Sequence, residues 1–176
     1  MNTIITAVTA IALVCGTAAQ AQDTSAKAHS IPITSLPITI TASGTYVFTS
    51  DLTWSGSVPA ISVQEPPAGT VPVIVDLKGH ILSGLTPGGT SDNIGIQVSN
   101  SGPEFLSNVI IRNGTITKYG IIVSGEFGRG VSIYGGIVLD NLVLNNAARA
   151  VVFARVDNST VKNCTFAGRD ATLGGQ

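Results

Sequence analysis

Four charged residues occupy the same place in a recurring phrase, and they are the strongest candidates for chemistry in this protein. Asp76, Arg112, Asp140 and Lys162 each stand just before or at the turn that closes a short run of Val, Ile or Leu. If the strands ending at these turns stack in register, neighbours sit ~4.8 Å apart and the charges form one outward column of alternating sign. Asp76 and Asp140, two steps apart at roughly 9–10 Å, then approach the carboxylate separation of inverting glycosidases, with Arg112 between them. These three are the candidate catalytic set. The column also has a structural reading, which is preferred. Opposite charges face each other, settle the register and contribute a few tenths of a kcal/mol per exposed pair. An arginine between two carboxylates also lowers both pKa values, which works against a general acid.

His80, in Lys78-Gly79-His80, reads either as a hydrogen-bonded turn residue or as a general base. The other histidine, His29, lies far away in sequence, so no transition-metal spacing exists. Asp92-Asn93 and Asp157-Asn158 lack the glycine-rich nonapeptide or EF-hand spacing that calcium needs. No cofactor is expected. Cys164 aligns with Gly114 and Leu142 of the earlier phrases, the place of a small buried hydrophobe. A reactive thiol would need a base nearby, and no histidine falls in its own phrase or the preceding one.

The elements that must position these groups are short strands. The phrases NVIIRNGTI (108–116), GIVLDNLVL (136–144) and STVKNCTF (159–166) repeat one theme, with steps of 28 and 22 residues from Asn113 to Asn141 to Asn163. Recurrence on that scale predicts a stacked repeat architecture. An earlier copy is VIVDLKGHILSG (73–84), where Lys78-Gly79 stands in the place of Asn113-Gly114. Second apolar runs follow, at Ile61-Ser62-Val63, Gly95-Ile96-Gln97-Val98, Gly120-Ile121-Ile122-Val123 and Ala150-Val151-Val152-Phe153. No segment after residue 22 has the three-and-four apolar spacing of a helix. Alternation points Val109, Ile111, Ile137, Leu139 and Val161 inward, and Ile110 and Arg112 outward. Asn113, Asn141 and Asn163 are expected to stack as an amide ladder at the turn.

These phrases resemble rungs of the right-handed parallel β-helix proteins of the pectate-lyase-like superfamily. VIVDLKGHILSG is similar to an opening rung of its bacterial secreted members, and ITITASGTYVFTSDLTW (38–54) to their lead-in strands. The resemblance covers roughly residues 31–168. It implies an all-β, single-stranded right-handed parallel β-helix solenoid of about four to five coils. It does not imply one activity, since the superfamily includes lyases, hydrolases, esterases, epimerases and adhesins. The lyases' acidic calcium cluster is missing. So are the hydrolases' paired Asp, Gly-His-Gly and Arg-Ile-Lys segments; Gly79-His80-Ile81 lacks the second glycine.

Domain organisation follows from the ends. Ile4 to Val14 is apolar and Ala19-Gln20-Ala21 is a small-x-small cleavage signal, so 1–21 reads as a signal peptide and the product as secreted or periplasmic. Segment 22–37 reads as a lead-in, 38–168 as the β-helix and 169–176 as a tail. No membrane span is expected once the leader is removed. A net charge of −1 without Lys/Arg clusters argues against nucleic acid. The tail has no amphipathic cap, so the last coil, around Val161 and Phe166, is expected to be covered by self-association, by a capping partner or by further sequence past a truncated tail. The functional expectation is a non-catalytic polysaccharide-binding protein or cell-surface scaffold. The alternative is a lyase or hydrolase working through Asp76, Arg112 and Asp140. A metal-processing role is a third reading, disfavoured by the absence of ligand clusters.

Overall fold

The computed structural model describes residues 30–64, 72–84, 93–100, 108–127, 136–154 and 158–168. The leader, His29, Asp92, Asp157 and the 169–176 tail lie outside them. The described residues are all-β, and every strand pairing is parallel.

Two sheets form. The larger runs in the order β1 (Ser30–Ile33), β3 (Gly44–Phe48), β6 (Val73–Asp76), β9 (Val109–Thr117), β11 (Ile137–Asn145), β13 (Thr160–Lys162). Three short strands extend it sideways. These are β4 (Leu52–Thr53), β7 (Ile81–Ser83) and β14 (Thr165–Phe166), which pair along the second halves of β9 and β11 or with each other. The smaller sheet runs β2 (Ile38–Ile40), β5 (Ile61–Gln64), β8 (Ile94–Asn100), β10 (Ile121–Phe127), β12 (Arg149–Ala154). It gathers the second apolar runs of the sequence. The backbone alternates between the two sheets, and each return pairs beside the strand of the previous visit.

Period-two alternation builds the core. Tyr46, Val75, Ile111 and Leu139 align across β3, β6, β9 and β11, and all are buried. Leu82, Ile116 and Leu144 make a second buried row, and Ile61, Ile96 and Val123 a third from the smaller sheet. Like residues thus stack on like, burying aliphatic surface at about 25 cal/mol per Å². Val161 takes the inward place beside Leu139 as expected, yet it is 42% exposed, because no described strand lies on its far side. Phe166, beside Leu144, is 54% exposed for the same reason.

β1 lies within the segment read from sequence as lead-in, and its edge is chemically different. The carbonyl of Ile33 accepts from the Thr49 N–H, just past β3. Alternation therefore turns the nitrogen of Pro32 away from β3, where its missing N–H costs no ladder bond.

Candidate functional site

The charge column lies on the larger sheet in the predicted register. Asp76 aligns with Arg112, Arg112 with Asp140, and Asp140 with Lys162. It resolves into two clusters of the same design. In each, a carboxylate accepts from a cation and from an asparagine amide, both one strand further along.

In the first cluster, Arg112 Nε donates to Asp76 Oδ2 at 2.9 Å, Asn113 Nδ2 donates to Asp76 Oδ1 at 3.1 Å, and the Lys78 N–H donates to the same oxygen at 3.0 Å. The expectation that Asp76 lies on an exposed face is corrected here, since its side chain is only 4% exposed. Strands flank it on both sides, and the turn at Lys78 folds its backbone over the carboxylate. Burial pushes the Asp76 carboxyl up. The donors from Lys78, Asn113 and Arg112, with the Arg112 charge, outweigh that and hold it below the usual carboxylate range.

The second cluster repeats the pattern in the open. Asn163 Nδ2 donates to Asp140 Oδ1 at 3.0 Å, and Lys162 Nζ lies 3.4 Å from Asp140 Oδ2. The Asn163 bond, assisted by Lys162 and by the charge of Arg112, holds Asp140 below its ordinary value against a smaller opposing effect of burial.

The asparagine ladder is also corrected. Asn141 Nδ2 donates to Asn113 Oδ1 at 3.1 Å as expected, but Asn163 turns to Asp140 and not to Asn141. The column explains the alternation. Asn113 and Asn163 each have a carboxylate one strand back, and a charge-assisted bond is stronger than a neutral one. Asn141 has Arg112 there, which offers donors only, so it bonds the neighbouring amide instead. All three asparagines adopt positive φ, between 54° and 59°.

Lys78 shares that left-handed conformation, with φ of 53°, but its turn does not match the later ones. Asp76 aligns with Arg112 and Ile81 with Thr115, so the four residues 77–80 span what Asn113 and Gly114 span alone. The longer turn sends Leu77 into the core, fully buried. A Cβ on Gly114 would lie 2.4 Å from Leu77 Cβ and 2.7 Å from the His80 carbonyl, so this position admits glycine alone.

The same turn makes a contact that sequence reasoning missed. Asp51 Oδ1 accepts from the Ile81 N–H at 2.9 Å and lies 3.2 Å from His80 Nδ1. A carboxylate only accepts in such a contact, so Nδ1 is the ring nitrogen that donates. The available signal was the match of Leu52-Thr53 to Leu82-Ser83, which are paired strands. Continued back one residue, it sets Asp51 beside Ile81.

Cys164 and the aromatic side chains separate from the column. Cys164 is partly buried against the core, and its Sγ donates to the Lys162 carbonyl at 3.2 Å. Tyr119 is fully buried, and burial pushes its hydroxyl well above the ordinary tyrosine range, so it offers no surface for stacking a sugar. Trp54 is half-buried, its indole N–H donating to the Val58 carbonyl at 2.9 Å. Among the described residues, no group of three or more His, Cys, Asp or Glu is placed to hold a metal ion. No protein-family model, curated protein or solved structure matches this sequence.

Proposed function

We propose that this protein is an exported parallel β-helix that binds polysaccharide as a scaffold and does not cleave it. The winding is inferred from the strand order: the backbone passes from larger sheet to smaller and back, landing parallel beside its previous visit each time. Parallel crossovers of this kind are right-handed in about 98% of cases, hence the right-handed solenoid of the pectate-lyase-like kind. Export rests on the leader-like first 21 residues.

The observation that carries the non-catalytic reading is the state of Asp76. A general acid in a glycosidase needs a raised pKa and access to the glycosidic oxygen. Asp76 has neither, because its carboxylate is buried, lowered and occupied by three donors. What the outer face offers a polysaccharide is hydrogen bonding from Arg112, Asn141, Lys162 and nearby threonines. Val161 and Phe166 are where such a scaffold would meet a capping partner or another copy.

The test is a panel of acidic and neutral polysaccharides, measured for binding by sedimentation and for cleavage by release of reducing ends or unsaturated products. Retention without product, weakened by truncating both Arg112 and Lys162 to alanine, is the expected result. Product release that disappears in Asp76→Asn or Asp140→Asn overturns it in favour of the carbohydrate-active enzyme.

A further inference from the structure

We propose that Asn113-Gly114 is a latent modification site, a spontaneous deamidation centre that the amide ladder keeps closed. Asn113 is the only asparagine in the sequence followed by glycine. Two unrelated demands of the fold impose that pair. The left-handed turn and the donor bond to Asp76 ask for asparagine, and the buried Leu77 behind the backbone leaves no room for a Cβ at position 114. The result is the dipeptide whose second nitrogen is least hindered as a nucleophile.

The chemistry needs only water. The Gly114 backbone nitrogen attacks Cγ of Asn113 and closes a succinimide through the new bond. The bond from Cγ to the Asn113 amide nitrogen then breaks, and that nitrogen leaves as ammonia with the proton lost by Gly114. Water opens either imide carbonyl, leaving aspartate or isoaspartate. In the closed ladder the carboxamide is held at both ends, its nitrogen on Asp76 Oδ1 and its oxygen under Asn141 Nδ2. Cγ cannot swing onto the Gly114 nitrogen until both bonds break, so reaction follows local opening. The product cannot re-form the ladder. It has lost the donor to Asp76 and sets a new carboxylate against a buried one.

The other asparagines at positive φ are internal controls, since Asn141, Asn146, Asn158 and Asn163 are followed by Leu, Ala, Ser and Cys. The full-length protein, folded and in denaturant, is incubated in mildly alkaline buffer and mapped by mass spectrometry for amide-to-acid conversion. Conversion at Asn113 should be at least about tenfold slower in the folded protein than in denaturant, and faster in folded Asn141→Ala, which frees the oxygen end. Asn113→Asp, a copy of one product, should melt below the parent. Equal rates folded and unfolded, earlier conversion of Asn158 than of Asn113 in denaturant, or an Asn113→Asp variant melting like the parent each overturn the proposal.

Discussion

The Asp76 and Asp140 clusters are the same device built in two environments. Each sets a carboxylate beside a cation and under an asparagine amide contributed by the next strand. Around Asp76 the device is closed in by neighbouring strands and by a third donor from the Lys78 backbone, leaving its side chain 4% exposed. Around Asp140 the partner strand is β13, three residues long with every residue exposed, and water competes for each contact. The difference teaches that burial, and not the pairing of charges, decides what such a cluster is worth. An exposed pair is nearly neutral, whereas a buried carboxylate stripped of its partners is costly.

The largest expected effect comes from removing the centre of the buried cluster. Asp76→Ala orphans the Asn113 amide, the Lys78 N–H and the Arg112 guanidinium, and should destabilise the protein by about 3 kcal/mol, read by chemical denaturation. Asp140→Ala should unfold close to the parent. Equal losses would break the comparison.

An acid titration sharpens it. Unfolded, both carboxylates titrate near 3.9. Folded, both are lowered, so as pH falls the unfolded state takes up its protons first. The stability each carboxylate contributes is complete above the unfolded value and is lost as pH drops through the folded one. Asp76→Asn should flatten the fall of stability below about pH 4 visibly, and Asp140→Asn should barely change it. The reverse ranking would show that the exposed cluster carries the acid sensitivity.

The smallest effect is expected from salt. Raising ionic strength to about 1 M shrinks the screening length to ~3 Å, which should erase any contribution of Asp140 to melting and leave most of that of Asp76. A double-mutant cycle for Asp140 and Lys162 that is unchanged by salt would contradict this.

What was legible in the sequence is the part ruled by strand periodicity. The inward places of Val109, Ile111, Ile137 and Leu139 and the alternating column follow from a period of two and a constant turn, and both stand in the structure. The burial of Asp76 was not legible, because it depends on a turn two residues longer than its later counterparts wrapping a backbone N–H over the carboxylate. Asp51 escaped for a related reason. Its contact with His80 links segments 29 residues apart through a two-residue strand pair, too short to show as a pattern. The partner of Asn163 could have been derived, since Arg112 beneath Asn141 and Asp140 beneath Asn163 already dictate which amide finds an acceptor.

The alternation of sign along Asp76, Arg112, Asp140 and Lys162 also acts as a parity rule on how such a protein gains or loses length. Deleting the strand that carries Arg112 would press Asp76 against Asp140, and duplicating it alone would set arginine on arginine. Removing or copying two adjacent strands together keeps every neighbour opposite in charge. Genetic gain or loss of repeats should therefore be tolerated in pairs, and a single-repeat event should need a compensating charge reversal beside the junction.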